Sequence, residues 1–397
     1  MIVLSGAAVV TPAGLLDPAT LVIDGASIVD VQPGLRDGGD RLDGHVILPG
    51  FIDVHVHGVA GLDTLATPDG VERIAAVLPR FGVTAFCPTT IACAPDDLRR
   101  VLDAVARLGR DRPEACARVL GAHLESNFIN PEYRGAQPLA CLRSPRDRRS
   151  SGPSAGSKFM AAQVLDEISR ARAEVAIVTL APELDGALDL IRLLAAAGHR
   201  VSLGHSAATY DQGLAGIGAG ARHATHLFNR MPPFSHREPG LVGAIFERDE
   251  VTAELIVDGH HVHPAVGRAA LRALGPDRAV AITDGTAASG LAPGTVTHLG
   301  SARLTAGPHV ALLDDGTWAG STLTMDAALR NLTTTFGCSL VDAARFCATN
   351  PARALGRGHM GAIVPGGVAD VVVLDADLRV SQTYIDGVRV FERLAVL

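Results

Sequence analysis

The sequence of 397 residues predicts an α/β protein, a (β/α)8 TIM-like barrel with a small β-sandwich domain built from both termini. Three observations predict it. Short apolar runs rich in β-formers alternate with Ala/Leu/Arg-rich helical stretches from Gly50 to about residue 355. Both ends of the chain have the texture of short strands. The length suits a barrel of about 250 residues with an accessory domain. We therefore expect residues 1–50 plus 356–397 to form the small β domain and residues 51–355 to form the barrel.

Eight apolar runs are candidate inner strands of the barrel: Ile52–His57, Ala85–Thr89, Val119–His123, Val175–Leu180, Val201–His205, His223–Leu227, Thr252–Val257 and Ala279–Thr283. Helix-like segments lie between several of them: Pro95–Leu108, Ala161–Arg172, Leu184–Ala197 and His263–Leu274. A doubly wound sheet is the alternative, but no GxGxxG fingerprint follows an early strand.

The terminal regions read as strands separated by turn residues such as Asp24-Gly25 and Asp386-Gly387. The predicted strands are Ile2–Leu4, Leu21–Asp24, Ser27–Val31, His45–Leu48, Val371–Leu374 and Val388–Phe391. The basic, Ser/Gly-rich stretch from Arg143 to Ser157 is expected to be a surface loop.

Composition narrows the class of protein. Hydrophobic residues make up 47% and charged residues 19%, so a large core is expected and disorder is not. The net charge of −7 and the lack of a basic stripe argue against nucleic acid as a partner. The six cysteines form no CxxC pair, no apolar run is long enough for a membrane helix, and the first residues lack a basic leader region. We expect a cytoplasmic protein.

The first chemical signal is a pair of histidines in the first barrel strand. Strand alternation puts His55 and His57 on one face, about 7 Å apart. They follow the PGFID turn at Pro49–Asp53, which places them near the carboxyl end of that strand. Barrel chemistry occurs at this end, so the pair favours a metal site over two satisfied polar residues.

Four more residues of ligand type stand at the ends of predicted barrel strands: Glu125, His205, His226 and Asp284. Their side chains are expected to meet on the loop side of the barrel, and packing alone does not explain such a set. His223 precedes His226 by three residues, so it should face the other side of the strand and be structural.

The lysine count excludes one type of metal site. Lys158 is the only lysine, and it lies in the loop-like stretch. A carboxylated lysine from a barrel strand therefore cannot bridge two metals, and Glu125 is the candidate bridge.

These residue types point to amide hydrolysis without a protein nucleophile. A metal bound by Glu125, His205 and His226 lowers the pKa of a bound water and polarises an acyl oxygen. Asp284 can then take the proton of the water and return it to the leaving nitrogen. No GxSxG elbow or plausible catalytic cysteine competes with this chemistry.

In this order, the motifs resemble those of the N-acetylglucosamine-6-phosphate deacetylase family of the amidohydrolase superfamily, over nearly the whole chain. The most specific stretches are PGFIDVHVHG at Pro49–Gly58, LAPE at Leu180–Glu183, GHSAAT at Gly204–Thr209, ATHLFNRMPPFSHREPG at Ala224–Gly240, IVDGHHV at Ile256–Val262 and GSTLTM at Gly320–Met325.

The resemblance implies hydrolysis of the N-acetyl group of N-acetylglucosamine 6-phosphate, with Asp284 as general acid and base. It assigns the principal metal to Glu125, His205 and His226. It also implies a second metal in members that keep His55 and His57, so one or two divalent ions, zinc or iron, are expected per subunit.

For the substrate phosphate, the resemblance implies contacts from Asn229, from the backbone near Arg230 and from His261. It also implies that Arg237 reaches in from a neighbouring subunit, so a homodimer is expected. An arginine suits this role because it offers a fork of donors to phosphate oxygens.

The chain departs from the family pattern at three places. Ser126-Asn127 replaces Gly-Pro, Gln137 replaces a histidine that helps to polarise the acyl carbonyl, and Arg230 replaces an alanine. Gln137 can donate a hydrogen bond but carries no charge. We hypothesise a retained hydrolase whose acyl preference, sugar preference or rate differs from that of the usual enzyme.

Two other functions stay open at this point. One is a related amidohydrolase that acts on a different N-acyl amino sugar or a cyclic amide. The other is a catalytically idle barrel protein, although such proteins typically lose metal ligands that this chain keeps.

Overall fold

The computed structural model describes residues 1–147 and 159–394. Five strands open the chain: β1 (Ile2–Thr11), β2 (Gly14–Asp24), β3 (Ser27–Pro33), β4 (Asp40–Arg41) and β5 (Val46–Pro49). β1 and β2 form an antiparallel hairpin that turns at Pro12-Ala13, and β1 also pairs with β5 in parallel. Almost every residue of β1 is buried, which explains its apolar sequence.

The barrel follows. Its first strand is β6 (Phe51–Val56), and a small hairpin of β7 (Gly58–Val59) and β8 (Leu62–Asp63) comes next. The remaining strands are β9 (Val83–Thr90), β10 (Arg118–Val119) with β11 (Ala122–Glu125) at one position, β12 (Val175–Leu180), β13 (Arg200–Leu203), β14 (His223–Ala224), β15 (Thr252–Ile256) and β16 (Ala279–Ile282). Each coincides with a predicted inner strand, and neighbours pair in parallel from β6 through β9 to β16.

β14 is shorter than predicted. The extended strand was expected to reach Leu227, but it ends at Ala224. His226 and Phe228 have positive φ values of 27° and 75°, a backbone region that cannot continue a strand.

The barrel closes between its first and last strands. The backbone N–H of Asp284, just after β16, donates to the carbonyl of His55 in β6 at 3.0 Å. The Thr283 hydroxyl donates to the carboxylate of Asp53, also in β6. Closure therefore brings the His55–His57 strand beside Asp284.

Helices cover the outside of the barrel: α1 (Gly70–Val77), α2 (Pro95–Arg110), α3 (Ala161–Arg170), α4 (Ala187–Ala196), α5 (Tyr210–Ala219), α6 (Gly240–Glu247) and α7 (Pro264–Arg278). Four of them coincide with the predicted helical segments. α5 starts at a capping box in which Thr209 and Gln212 each accept a hydrogen bond from the other's backbone N–H. α7 is kinked at Gly275, just before Pro276.

An antiparallel sheet that the sequence reading did not predict follows β16. Its strands are β17 (Val296–Leu299), β18 (Ala302–Ala306), β19 (Val310–Leu313) and β20 (Trp318–Ser321). The strands are four or five residues long, so their alternation is brief. The chain then forms α8 (Met325–Thr334), α9 (Leu340–Ala344), a π-helical turn at Arg345–Thr349 and α10 (Asn350–Ala354).

The last strands return to the first sheet. β21 (Val371–Leu374) pairs antiparallel with β5, and β22 (Val380–Ile385) and β23 (Val388–Glu392) extend the edge. The two ends of the chain thus share an eight-stranded sheet, and the predicted fold class is confirmed. The exact domain boundaries at residues 50 and 356 stay a prediction.

Most of the predicted 143–157 loop, together with Lys158, lies outside the described residues. None of the helices in the described part of the chain is both long enough and apolar enough to cross a membrane.

Candidate metal centre

The predicted metal and catalytic residues meet at the carboxyl ends of the barrel strands. Glu125 is the last residue of β11, whereas three others stand two residues beyond a strand end: His205 after β13, His226 after β14 and Asp284 after β16. Those three have positive φ values of 48°, 27° and 47°. Such backbone is uncommon for residues other than glycine and tends to cluster at functional sites.

The first group consists of Glu125, His205 and His226, all buried. Oε1 of Glu125 lies 2.8 Å from Nε2 of His205 and 2.9 Å from Nε2 of His226. The two Nε2 atoms are 3.1 Å apart. Ligand atoms of a tetrahedral zinc lie about 3.3 Å from one another, so the spacing is close to that of a metal site.

The hydrogen bond of His205 Nδ1 determines whether Nε2 of the same ring carries a proton or a lone pair. Its Nδ1 donates to the carbonyl of Tyr133 at 2.8 Å, so in the neutral tautomer that a metal requires the lone pair is on Nε2. This lone pair faces a carboxylate oxygen, which only accepts. Two acceptors at this distance are stabilised by a cation between them, so the residues fit a divalent metal.

A second group shares Glu125 with the first. Nε2 of His57 lies 3.4 Å from Oε2 of Glu125, and Nε2 of His55 lies 3.7 Å from Oε1. The two histidine Nε2 atoms are 3.3 Å apart. These three residues form another set of converging ligands, and Glu125 occupies the position of a bridge between the two groups.

Asp284 stands beside the second group. Its Oδ1 lies 3.3 Å from Nε2 of His55 and 3.4 Å from Nε2 of His57. Burial raises the pKa of Asp284, but the charge of His55 and the hydrogen bond from His57 outweigh it and hold the pKa below its usual value. Burial disfavours the charged form of His57 too and lowers its pKa, but the hydrogen bonds to Asp284 and Glu125 outweigh burial and raise the pKa to about 10. The carboxylates thus favour positive charge at this point.

Glu254 is a functional candidate that the sequence reading missed. It is fully buried in β15, and its Oε2 accepts from Nδ1 of His55 at 2.9 Å and from the backbone N–H of His226 at 3.1 Å. Its Oε1 accepts from Nε2 of His223 at 3.1 Å. Glu254 therefore orients a residue of each ligand group. The signal was present, because a carboxylate inside the apolar run Thr252–Ile256 needs a partner.

Two other histidines near this network have both ring nitrogens within hydrogen-bond distance of protein groups. His223 lies outside the Glu125 groups and bonds Thr252 and Glu254. His123 has both ring nitrogens engaged, with the Val54 carbonyl at 2.9 Å and the Thr179 hydroxyl at 2.8 Å. Burial, together with the charge of His55, lowers the pKa of His123 to about 3, so its ring is neutral.

Replacing Glu254 with glutamine is expected to weaken metal binding by about 10- to 100-fold. Glutamine keeps one acceptor oxygen but replaces the other with an NH2 group, so the hydrogen bonds to His55, His223 and the His226 backbone cannot all be kept, and the negative charge that holds them is lost. Competition with a chromogenic chelator measures the affinity, and thermal unfolding of metal-free protein checks the fold. Glu114→Gln, which removes the same charge from an exposed position, is the control. Equal affinity of both variants would refute a positioning role.

A cavity of about 420 Å³ opens above the metal groups. Nine of the predicted site residues line it: His57, Glu125, Gln137, His205, His226, Asn229, Arg230, His261 and Asp284. His55 lies beneath, fully buried, and Arg237 is exposed outside the lining. Nδ1 of His261 bonds the Asp258 carboxylate at 2.6 Å, which leaves its Nε2 for a ligand.

Gln137 is held at both ends of its side-chain amide. The amide nitrogen donates to Oε2 of Glu125, and the amide oxygen accepts from the backbone N–H of Ala92 at 2.7 Å. Gln137 therefore supports a metal-ligand candidate in the described structure. Its predicted contact with a substrate acyl group stays a prediction.

The neighbouring departures, Ser126 and Asn127, are tied to the backbone. The Ser126 hydroxyl donates to the Thr179 carbonyl at 2.6 Å. The Asn127 amide donates to the carbonyls of Cys93 and Cys141. Both residues stabilise the loop that follows Glu125.

The sequence of this chain is similar to those of known deacetylases over nearly its whole length. The family model described as the amidohydrolase family matches residues 46–390. The N-acetylgalactosamine-6-phosphate deacetylase of Escherichia coli O157:H7 is 36% identical over 97% of this chain and 98% of that protein. The N-acetylglucosamine-6-phosphate deacetylase of Rattus norvegicus is 38% identical over 95% and 90%, respectively.

Two solved structures of deacetylases have a similar fold over nearly the whole chain. A mutant N-acetyl-D-glucosamine-6-phosphate deacetylase from Mycobacterium smegmatis, in complex with N-acetyl-D-glucosamine-6-phosphate, superposes with a TM-score of 0.87 at 36% identity. The match covers 98% of this chain and 99% of that one. The Thermotoga maritima N-acetylglucosamine-6-phosphate deacetylase gives a TM-score of 0.83 at 29% identity, over 99% and 100% of the two chains.

Proposed function

This chain belongs to the amidohydrolase family, and we propose that it hydrolyses the N-acetyl group of N-acetylglucosamine 6-phosphate to give glucosamine 6-phosphate and acetate. One observation carries the proposal. Asp284 and four of the candidate metal ligands (His57, Glu125, His205 and His226) line the same cavity as Asn229 and His261. The names of the relatives give the substrate, and the proposal assigns its acetamido group to the candidate metal ligands and its phosphate to Asn229 and His261.

The chemistry occurs at the floor. A divalent metal held by Glu125, His205 and His226 would supply Lewis acidity and a lower pKa for water. Asp284 accepts a proton from the attacking water while the water oxygen bonds to the acyl carbon. It then gives that proton to the sugar nitrogen as the C–N bond breaks, so atoms and charge balance.

Asp284 is ionised at neutral pH, because the neighbouring His55 and His57 hold its pKa below its usual value. The ionised carboxylate is the form that can accept a proton. His57, 3.4 Å from Oδ1, keeps the carboxylate in place.

Asn229 and His261 bind the phosphate in this proposal, because both line the cavity and can give directional hydrogen bonds; the backbone near Arg230, which also lines it, is the third contact. The family resemblance adds Arg237 from a second subunit. A homodimer, a cytoplasmic location and zinc or iron as the metal, one or two ions per subunit, are parts of the proposal.

Acetate release tests the function. Protein loaded in turn with zinc, iron or manganese is assayed on N-acetylglucosamine 6-phosphate and on the unphosphorylated sugar. We expect a strong preference for the phosphorylated sugar. Little release from either substrate, with metal demonstrably bound, would refute the proposed function.

A second candidate substrate is N-acetylgalactosamine 6-phosphate. The Escherichia coli O157:H7 relative named for this activity matches nearly the full length of both chains. The two sugars differ only in the configuration at C4, so both present the same acetamido group and the same phosphate. Comparing kcat/KM on the two phosphorylated sugars decides between them.

A further inference from the structure

A second cavity, of about 680 Å³, lies at the amino-terminal end of the barrel, where several of the parallel strands begin. Four arginines line this cavity, which we call the basal pocket, and no described carboxylate does: they are Arg172, Arg200, Arg222 and Arg357. We propose that the basal pocket binds the phosphate group of a small molecule. The inference goes beyond the proposed function and does not depend on it.

The basal pocket and the metal centre lie at opposite ends of the same strands. Arg200 is the first residue of β13, and Arg222 directly precedes β14. His205 and His226 stand beyond the carboxyl ends of these two strands. Because the strands are parallel, their amino-terminal ends face away from the cavity above the metal groups. A phosphate in the basal pocket is therefore separate from the phosphate of a substrate at the metal centre.

Two of the arginines are held in place by neutral groups. Nη2 of Arg200 donates to the carbonyl of Arg222 at 2.7 Å and to the hydroxyl of Thr252 at 3.0 Å. Nη1 of Arg222 donates to the carbonyls of Ile217 and Ala221 at 2.8 and 2.7 Å. These hydrogen bonds fix each guanidinium through one of its nitrogens. They leave its charge uncompensated and its other N–H groups available for a ligand.

Acidic residues near the pocket do not neutralise it. None of the described carboxylates forms an ion pair with any of the four arginines. Glu174 shares a turn with Arg172 but does not line the pocket. Glu250 pairs with Arg248 at 2.6 Å, and this hydrogen bond lowers the pKa of Glu250 more than the charge of Arg222 does. The basal pocket is thus positive, although the net charge of the chain is −7.

The positive groups of the pocket oppose one another. Burial, and after it the charge of Arg222, lowers the pKa of Arg200 to about 10. Burial, and to a smaller extent the charge of Arg172, lowers the pKa of His199, which also lines the pocket. Nε of Arg200 is buried, and no described residue accepts a hydrogen bond from it. A bound phosphate would offset the repulsion and supply acceptor oxygens.

The size and the lining of the pocket suit a phosphorylated small molecule. Sites for small molecules have volumes of about 300–1,000 Å³, a range that includes this pocket. Leu120, Val175 and Leu355 contribute apolar side chains to the lining. Guanidinium groups can each bind two phosphate oxygens, whereas apolar side chains can contact an organic part of the ligand. A phosphomonoester therefore uses more of the pocket than inorganic phosphate does.

Calorimetry on the metal-loaded protein tests the proposal, with inorganic phosphate and phenyl phosphate as ligands. Arg222→Met and Arg357→Met each remove one guanidinium from the basal pocket and none from the proposed active site. We expect each substitution to weaken binding at the pocket by about 10- to 100-fold, because hydrogen bonds to a charged group are lost. Arg110→Met removes an exposed arginine of α2 outside the pocket and should keep the wild-type affinity.

Two further variants keep the result interpretable. His261→Ala changes the lining of the cavity above the metal groups and leaves the basal pocket intact, so binding at the pocket should persist in it. Arg357 is exposed, and no described residue bonds its guanidinium. Arg357→Met should therefore fold even if Arg222→Met, which loses two hydrogen bonds to backbone carbonyls, does not. Thermal unfolding checks the fold of every variant.

The two ligands distinguish the source of the phosphate. Tighter binding of phenyl phosphate identifies an organic phosphate as the ligand, and equal binding identifies inorganic phosphate; both results support the site. Equal affinity in wild type, Arg357→Met and Arg110→Met would overturn the proposal. The arginines would then only stabilise the end of the barrel. A failure of the protein to release acetate from either sugar would leave this result unchanged.

Discussion

Replacing Asp284 with asparagine is expected to lower kcat by about 10²- to 10⁴-fold while metal stays bound. The asparagine amide keeps the size of the side chain but cannot accept the proton of the attacking water. The first ligand group, formed by Glu125, His205 and His226, does not include position 284, so it is preserved. Steady-state acetate release gives kcat, and elemental analysis of the same samples gives the metal content.

Asp166→Asn is the matched control, because it removes an exposed carboxylate from α3. Its kcat should equal that of the wild type. Asp284→Asn activity within threefold of wild type would exclude a proton-transfer role. Loss of metal in parallel with activity would instead identify Asp284 as a ligand.

Replacing Glu125 with glutamine is expected to remove bound metal and to abolish acetate release, a loss of at least about 10³-fold. Glu125 contributes an oxygen to both ligand groups, so the substitution affects both at once. A neutral amide is a weaker ligand than a carboxylate, and it no longer compensates the positive charge of a metal beside three or more imidazoles.

A readout other than activity is available for this variant. Metal that binds only the folded state raises the unfolding temperature. This rise should be present in wild type and absent in Glu125→Gln. Glu132→Gln is the control, since Glu132 lines the same cavity but belongs to neither ligand group. If Glu125→Gln binds metal with wild-type affinity, Glu125 is not a ligand in either group.

The Glu254 network connects the two candidate ligand groups of the metal centre through a residue that belongs to neither Glu125 group. One buried carboxylate holds the ring of His55 and the backbone of His226, which belong to different ligand groups. Occupation of either group would therefore restrict the geometry of the other. The expected weakening of metal binding in Glu254→Gln follows from the same contacts.

Much of the barrel and of its site was predictable from local pattern. The inner strands were found because alternation and apolar runs are properties of a few neighbouring residues. His55, His57, Glu125, His205 and Asp284 were found because parallel strands all end on one side of a barrel. This rule converts positions along the chain into a common location without any knowledge of contacts.

Local pattern failed where strands are short or backbone is strained. Strands β17 to β20 have too few residues for a clear period, and the left-handed His226 lies inside the stretch His223–Leu227 that was predicted to be one strand. The sequence predicted neither feature, although Trp318 of β20 lines the cavity.

The sequence by itself determined the fold class, the candidate ligands at the strand ends and the resemblance to a deacetylase family. Only the tertiary structure decided which residues support those ligands and which cation faces the cavity. Glu254 and His55 are 199 positions apart, yet they share a 2.9 Å hydrogen bond because barrel closure leaves only β16 between their strands and both side chains are buried together. Arg230 and Arg237 lie in one sequence motif, but the backbone turns Arg230 into the cavity wall and leaves Arg237 outside it. Such relations depend on how distant segments pack, and no local period of the sequence encodes them.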